Sequence, residues 1–374
     1  MHFHHLHFYV QDVAFWRDWF VHKLAFQTVA ELAHTAAAPG SKLAKFKLAN
    51  DKNAVSPTVL QQGMIEIWLS GPTSAPTSTV KSYLQQHPPG LVDVGFASDR
   101  FDQLLSRVRR QGIAMLSEVT VTATGYRQCQ IQGWADLRHT LVEVSPQWAK
   151  ARASQLSQPE LPWLSRIDHA VLNVPKGQLT AASNWYQQVF GLEAGQQFDI
   201  NTTRSGLRSQ VLIDPDGTVQ IPINEPTSAN SQIQEFLHHN RGAGIQHVAL
   251  RSGDAVSAIA HFRQQGLKLI SVPDTYYQAL KARTDCPVVD TSAASRQQVL
   301  LDWPQGGQQG MLLQTFTQPI FAEPTFFFEI IERSTYREAG QIKQAQGFGE
   351  GNFRALFEAI EQAQIKRSNE QSQS

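Results

Sequence analysis

The chain has 374 residues, and its 32 Lys and Arg side chains balance 32 Asp and Glu, so the formal net charge is zero. A nucleic-acid-binding protein usually has a basic excess, and a polybasic membrane arm or an acidic tail would also break this balance. Hydrophobic residues make up 41% of the chain and charged residues only 17%. This composition predicts a folded protein of two or three domains, at about 150 residues each.

Cysteine content and the N-terminal sequence predict a cytoplasmic protein. Cys129 and Cys286 form no zinc-binding or redox motif and are too few for a disulfide framework. The first ten residues, MHFHHLHFYV, lack the features of a secretory signal, and no run reaches the roughly 18 apolar residues of a membrane span. We expect a soluble protein without nucleic-acid or membrane partners, and a homo-oligomer is compatible with these features.

The predicted elements of the first half begin with a strand at 3–10 and an aromatic-rich helix at 16–24. A second strand at 90–98 leads into another helix, and a last strand follows at 139–145. The polar, Ser- and Gln-rich stretch at 149–158 predicts an inter-domain linker.

The second half is predicted to contain two units, each with a strand, a helix and then three strands. The first unit has strands at 167–174, 196–201, 207–213 and 219–224 and a helix at 180–190; the second has strands from 245 and at 299–302, 311–316 and 325–331 and a helix at 254–265.

An internal duplication relates the two halves. Three segments recur in the same order: FHHLHFYV and IDHAVLNV, GLVDVGFAS and GIQHVALRS, HTLVEVS and TFFFEII. Alternating strands with one buried face are expected to curl into a half-open barrel. We therefore predict an α+β fold of four βαβββ modules in two half-open barrels, one in residues 1–150 and one in residues 160–374.

Two histidines and a glutamate occupy matching places in the second half. His169 and His247 lie in the first strand of each unit, and Glu329 lies in the last strand of the second. A lone histidine is most often a satisfied core residue, but two imidazoles with one carboxylate form the facial ligand set of non-haem Fe(II) oxygenases. Strand alternation puts all three on mostly apolar faces. A bound metal would remove the cost of burying an unpaired carboxylate there.

Polar side chains among phenylalanines predict a slot for a flat aromatic substrate. Gln314 shares a face with Phe316, Phe327 shares one with the candidate glutamate ligand, Ser209 lies among apolar neighbours, and Asn224 closes its strand. Ordinary core phenylalanines with incidental amides would give the same pattern, and both readings stay open at this point.

The C-terminal region predicts an amphipathic helix that begins at Asn352, after the glycine-rich sequence GFGEG. Its apolar positions follow helical spacing: Phe353, Leu356, Phe357 and Ile360. This helix could be hinged over an opening, or it could simply close the core.

At these residues the chain resembles the 4-hydroxyphenylpyruvate dioxygenase family of the vicinal-oxygen-chelate superfamily, over residues 165–367. The segments that carry the resemblance are IDHAVLNV, SQIQEFLHHNRGAGIQHVAL, PDTYYQAL, LLQTF, TFFFEIIER and GFGEGNFRALFEAIE. The resemblance implies the glyoxalase-like form of the predicted fold, and it implies Fe(II) bound by His169, His247 and Glu329.

The resemblance also implies roles for residues around the metal. Catalytic roles carry over to Ser209, Asn224, Gln232 and Gln314, and substrate contacts or gating to Gln246, Phe316, Phe327, Phe348, Asn352 and Phe353. Gln246 adjoins His247, so strand alternation points it to the opposite face unless the strand is bulged there.

The N-terminal half differs at the equivalents of the metal ligands. The repeat aligns His5, Asp93 and Glu143 with them, a set that could in principle bind a metal. In the family that the chain resembles, this half is structural and carries no iron.

The implied activity is the conversion of 4-hydroxyphenylpyruvate and O₂ to homogentisate and CO₂, with the substrate supplying all the electrons. Hydroxymandelate synthase, which resembles this family and uses the same iron and substrate, is an alternative, although Phe327 and the IPINE sequence favour the homogentisate-forming branch. An extradiol catechol dioxygenase would share the ligand set, but the GFGEGNF sequence argues against it. A metal-free ligand-binding protein of the same fold is a further alternative.

Overall fold

Two eight-stranded mixed sheets form the framework of the chain. The computed structural model describes residues 1–29, 57–74, 78–122, 125–145, 162–201, 205–281, 291–303, 310–349 and 351–352. The predicted linker and the predicted C-terminal helix from Phe353 onward lie outside these residues. In the part of the chain described, no helix combines the length and apolar composition needed to cross a membrane.

The N-terminal sheet comprises strands β1 to β8 in the order β2-β3-β4-β1-β5-β8-β7-β6. Its strands are β1 (His2–Tyr9), β2 (Gln27–Thr28), β3 (Thr58–Gln62), β4 (Ile65–Ser70), β5 (Gly90–Ser98), β6 (Thr120–Val121), β7 (Arg127–Gln132) and β8 (Arg138–Glu143). The helices of this half are α1 (Val13–Leu24), α2 (Thr79–Gln86) and α3 (Phe101–Arg110).

The C-terminal sheet has the equivalent order, β10-β11-β12-β9-β13-β16-β15-β14. Its strands are β9 (Arg166–Asn173), β10 (Glu193–Asn201), β11 (Gly206–Ile213), β12 (Gln220–Pro226), β13 (Gly244–Arg251), β14 (Leu300–Asp302), β15 (Leu312–Phe316) and β16 (Phe327–Arg333). The helices are α4 (Leu179–Phe190), α5 (Gln232–Asn240), α6 (Ala255–Gln264), α7 (Asp274–Lys281) and α8 (Thr291–Arg296), and a hairpin of β17 (Thr335–Glu338) and β18 (Gln341–Gln344) follows.

The shared strand order confirms the predicted fold class and the duplication. In each sheet the first strands of two modules pair antiparallel at the centre, β1 with β5 and β9 with β13, and each also pairs parallel with the last strand of its own module. Helices α2, α5, α7 and α8, the β17–β18 hairpin and the positions of β2, β3, β4, β6 and β7 were not predicted. The helices and the hairpin are additions that the βαβββ pattern does not contain.

The central strands are bulged at the same place in all four modules. In the β9–β13 pair, His169 lies opposite Ala249 but Ile167 lies opposite Leu250, so no residue of β13 lies opposite Asp168. The pairing registers identify one such extra residue in each of the other three central strands: Gln246 in β13, His4 in β1 and Val92 in β5. Each extra residue directly precedes a position that the repeat aligns with a histidine ligand. A bulge of this kind re-aims the neighbouring side chains.

One continuous apolar core lies between the two sheets and includes residues from both halves. Phe8 of β1 is fully buried, and its ring centroid lies 5.1 Å from that of Phe326 and 6.2 Å from that of Phe328. On its own half it packs against Phe20 of α1, at 5.8 Å. These rings fix the N-terminal sheet against the back of β16, the strand that carries Glu329.

Substituting Phe8→Ala is expected to lower the free energy of unfolding by about 3–5 kcal/mol, because it leaves a cavity between the halves. Phe15→Ala on α1 is the matched control, since that ring is 57% exposed and its loss should cost less than about 0.5 kcal/mol. Urea denaturation followed by fluorescence measures both. Equal effects of the two substitutions would contradict this view of the core.

Candidate metal centre and aromatic cavity

Three neighbouring strands bring His169 (β9), His247 (β13) and Glu329 (β16) together. The Glu329 Oε2 atom lies 3.2 Å from His169 Nε2 and 3.8 Å from His247 Nε2. One potential ligand atom from each residue lies within 4.8 Å of the other two, and all three side chains are buried. In the described residues this is the single group of its kind. Two imidazole nitrogens and a carboxylate oxygen are a donor set that suits a divalent transition metal.

The charges at this centre also fit a cation. Burial alone would lower the pKa of His169, but the carboxylates of Glu329 and Asp168 outweigh it and raise the pKa to about 9. Burial and the neighbouring His169 hold the pKa of His247 well below its usual value. When no metal is bound, a proton on His169 therefore compensates the buried Glu329 carboxylate. A divalent cation would replace that proton.

The two bulges give each histidine a hydrogen-bond acceptor next to it in the sequence. His169 donates from Nδ1 to Asp168 Oδ1 at 3.0 Å, and His247 donates from Nδ1 to Gln246 Oε1 at 3.3 Å. A proton held on Nδ1 leaves the Nε2 lone pair for a metal. Gln246 was expected to face away from His247 unless the strand is bulged there, and the strand is bulged. Its side chain therefore contacts the His247 ring and does not line the cavity.

Asp168 is itself held by Arg333, which donates from Nε at 2.9 Å and from Nη2 at 2.7 Å to its two carboxylate oxygens. Burial would raise the pKa of Asp168, but the guanidinium outweighs it and keeps this pKa well below the usual range. Burial would likewise lower the pKa of Arg333, which the Asp168 carboxylate raises. Asp168 therefore remains an anion that accepts from His169.

The three candidate ligands line a mostly apolar cavity, whose empty space is about 460 Å³ when the part open to solvent is included. The residues that line it are His169, Val171, Phe198, Ser209, Pro222, His247, Gln314, Phe316, Glu329 and Phe348. Phe316, Phe348 and Phe198 supply aromatic surface to this lining, and the ring centroids of Phe198 and Phe348 lie 6.3 Å apart. Such a lining suits an aromatic ligand next to the candidate metal position.

Four of the predicted pocket residues line this cavity directly: Ser209, Gln314, Phe316 and Phe348. Gln314 donates from Nε2 to Glu329 Oε1 at 2.8 Å and to the Phe348 carbonyl at 3.2 Å. Its side chain therefore fixes the second carboxylate oxygen of the candidate ligand, leaving Oε2 directed at the histidines.

Two further predicted residues do not line the cavity but are buried with unsatisfied side-chain oxygens. Asn224 of β12 lies opposite Ser209 of β11 and donates a hydrogen bond to Asn173 Oδ1 at 3.2 Å. Its own Oδ1 accepts no hydrogen bond. Gln232 begins helix α5, and its Oε1 also has no partner. Buried polar atoms without partners are rare and call for an explanation.

Two of the remaining predicted residues do not line the cavity but contact residues that do. Phe327 stacks on the ring of His247 with a centroid distance of 4.8 Å. Asn352 donates to Gln314 Oε1 at 2.8 Å and accepts from the Tyr276 hydroxyl at 2.8 Å. Phe353 lies outside the described residues.

Several site residues were not predicted. Val171 shares the face of His169 by alternation, and Pro222 lies in the IPIN sequence, so both could have been found. Phe198 lies in a predicted strand but has no distinguishing motif. The partnership of Asp168 with Arg333 spans 165 residues of sequence, and no local pattern reports it.

The N-terminal half does not reproduce the ligand set. In the β13–β16 pair Glu329 lies opposite Ala249, two residues after the candidate ligand His247. In the β5–β8 pair Glu143 lies opposite Ser98, five residues after Asp93. The alignment of these two glutamates is therefore wrong by three positions.

The contacts of the N-terminal residues agree with this correction. Glu143 is partly exposed and accepts from Arg127 at 2.6 Å. The Asp93 carboxylate instead accepts from the Thr140 backbone N–H at 2.8 Å. The His5 ring stacks on the Trp68 ring, with their centroids 3.5 Å apart.

Comparison with known proteins relates the chain to one superfamily and one enzyme family. A sequence profile of the Glyoxalase/Bleomycin resistance protein/Dioxygenase superfamily matches residues 166–285. The 4-hydroxyphenylpyruvate dioxygenase of Danio rerio is 31% identical over 99% of this chain and 92% of its own length. That of Legionella pneumophila (strain Corby) is 40% identical over 54% of this chain and 56% of its own length.

A solved structure shares the fold. A triple mutant of 4-hydroxymandelate synthase from Streptomyces coelicolor superposes with a TM-score of 0.77, covers 97% of this chain and 98% of its own, and is 21% identical. At this identity the likeness concerns the fold alone.

Glu329→Gln is expected to reduce bound metal from about one ion per chain to nearly none, because it removes the anionic member of the ligand set. Glu143→Gln is the control, since it makes the same chemical change in a glutamate that pairs with Arg127. Elemental analysis after Fe(II) loading and desalting measures both. Full metal content in Glu329→Gln would place the metal elsewhere.

Metal binding is expected to release protons. Because the pKa of His169 is about 9 without a cation and the metal takes the deprotonated Nε2, binding at neutral pH displaces about one proton. His247 is already neutral and contributes none. The apparent affinity should therefore increase as the pH rises toward about 9 and then level off. Calorimetry in buffers of different ionisation enthalpy measures the release, and an affinity independent of pH below 9 would contradict it.

Proposed function

The chain belongs to the 4-hydroxyphenylpyruvate dioxygenase family, and we propose that it converts 4-hydroxyphenylpyruvate and O₂ to homogentisate and CO₂. The observation that carries the proposal is the buried cluster of His169, His247 and Glu329, which lines an aromatic cavity. The atoms balance without a further reductant. One oxygen atom enters the new carboxylate, the other enters the ring, and the 2-oxo acid loses its carboxyl group.

We propose Fe(II) as the metal. Two imidazoles and one carboxylate on one face of an ion leave positions open for a chelating substrate and for O₂. When bound, Fe(II) would supply the activation of O₂ and the oxidative decarboxylation. Gln314 would keep the Glu329 carboxylate oriented through its hydrogen bond to Oε1.

The chain's own residues would place the substrate ring and exclude water. Phe316 and Phe348 supply flat apolar walls, which favour an aromatic ring and limit the water that could intercept reactive species. Ser209 lines the cavity with a hydroxyl, and the unpaired oxygens of Asn224 and Gln232 are buried. We propose that these three residues bind the polar groups of the substrate.

The two halves would then differ in task. We propose that residues 160–374 form the catalytic half and that residues 1–150 support it, since Phe8 packs against the strand carrying Glu329. A cytoplasmic location and homo-oligomeric assembly stay predictions.

Hydroxymandelate synthase activity is the second candidate, because an enzyme of that name shares the fold. It would use the same metal and substrate but hydroxylate the benzylic carbon. The sequence relationship to 4-hydroxyphenylpyruvate dioxygenases, at 31% identity over nearly the whole chain, favours homogentisate as the product.

The deciding experiment loads the protein anaerobically with Fe(II), adds 4-hydroxyphenylpyruvate and then O₂, and identifies the product by mass spectrometry. We expect homogentisate, with about one O₂ consumed and one CO₂ released per substrate, and no turnover by His247→Ala. 4-Hydroxymandelate would instead favour the second candidate. Ligand binding without O₂ consumption by the iron-loaded protein would favour a binding protein.

A further inference from the structure

We propose that Asp168 and Arg333 form a positioning pair that links the metal ligand His169 to the backbone segment 345–349. Through this pair, metal binding and the seating of the segment over the cavity stabilise each other. The inference deepens the proposed function, because it rests on a metal at His169, His247 and Glu329.

The first link is the bulge at Asp168. In a regular strand this side chain would point away from His169, but the extra residue lets Asp168 Oδ1 accept from His169 Nδ1 at 3.0 Å. A carboxylate in this position fixes the tautomer and the ring plane of a metal-binding histidine. Its own orientation is then a determinant of metal affinity.

The second link is Arg333, whose guanidinium is buried and uses all three nitrogens. Nε and Nη2 donate to Asp168, at 2.9 and 2.7 Å. Nη1 donates to the backbone carbonyls of Ala345 and Gly347, at 3.3 and 2.7 Å. A planar, rigid fork of donors makes these contacts simultaneously, which a flexible ammonium group cannot do.

The third link is the position of the segment itself. Phe348 lines the cavity, and its ring meets that of His169 edge to face at a centroid distance of 5.1 Å. The Phe348 carbonyl accepts from Gln314, which also donates to Glu329. The segment is therefore linked by hydrogen bonds to two of the three candidate ligands: to His169 through Arg333 and Asp168, and to Glu329 through Gln314.

Coupling follows from these contacts. A bound metal would restrain His169 and Glu329, and through them the side chains of Asp168 and Gln314 that they contact. Segment 345–349 would then bind to side chains that are already ordered, so the metal would stabilise its position. The ordered segment must stabilise metal binding by the same free energy, because coupling between two sites is reciprocal.

Arg251 provides a matched control. Its Nε lies 3.2 Å from Asp168 Oδ2 without forming a hydrogen bond, and its Nη1 donates to the side chain of Gln344 rather than to the segment. Arg251→Lys and Arg333→Lys thus make the same change next to the same carboxylate, and both keep its positive neighbour. Asp168→Asn retains an acceptor for His169 and serves as a second variant.

The test measures Co(II) affinity by competition with a chromophoric chelator, and hydrogen exchange of amides 345–349 with and without Co(II). Arg333→Lys and Asp168→Asn are expected to weaken Co(II) binding about 10- to 100-fold, while Arg251→Lys changes it little. Co(II) should slow exchange of the segment in the wild type and in Arg251→Lys, and much less in Arg333→Lys.

Two results would overturn the inference. One is wild-type affinity with undiminished Co(II)-dependent protection in Arg333→Lys. The other is an equal loss in Arg251→Lys, which would indicate a general charge effect. Failure of the wild type to bind Co(II) or Fe(II) is a different outcome, because it would contradict the proposed metal site itself.

Discussion

Each strand of the central pair in the C-terminal sheet carries one extra residue immediately before its histidine, and the site depends on this irregularity. Regular alternation would send Asp168 and Gln246 away from the histidines that follow them. The bulges instead turn each into the hydrogen-bond acceptor of its neighbour. The same backbone feature thus places the two imidazoles toward Glu329 and fixes which nitrogen of each is available.

The N-terminal half has the same bulges in its central strands but not the same side chains at them. Its central strands are bulged at His4 and Val92, but a histidine and a valine replace the oxygen acceptors of the other half. Asp93 stands where a histidine ligand is expected, and its carboxylate is hydrogen-bonded to Thr140. The duplicated fold therefore brings candidate metal ligands together in one half and not at the equivalent positions of the other, and the difference resides in a few side chains.

Much of the fold could be predicted from the sequence, because strand periodicity and the repeat reinforce each other. The candidate ligand triad followed from the equivalence of His169 and His247, since chemistry at matched positions is more informative than a single histidine. Glu143 shows the limit: a sequence match placed it three residues from its true equivalent, because strand pairing, not letter identity, sets the register. The Asp168–Arg333 pair could not be predicted, since it joins distant segments through a bulge that no residue pattern marks.

Anomalous diffraction from crystals of the Fe(II)-loaded protein, recorded above and below the iron absorption edge, would locate the metal. We expect one strong peak per chain, in contact with His169 Nε2, His247 Nε2 and the Glu329 carboxylate. Absence of a peak at that position, or one of equal height beside His5 and Asp93, would contradict it.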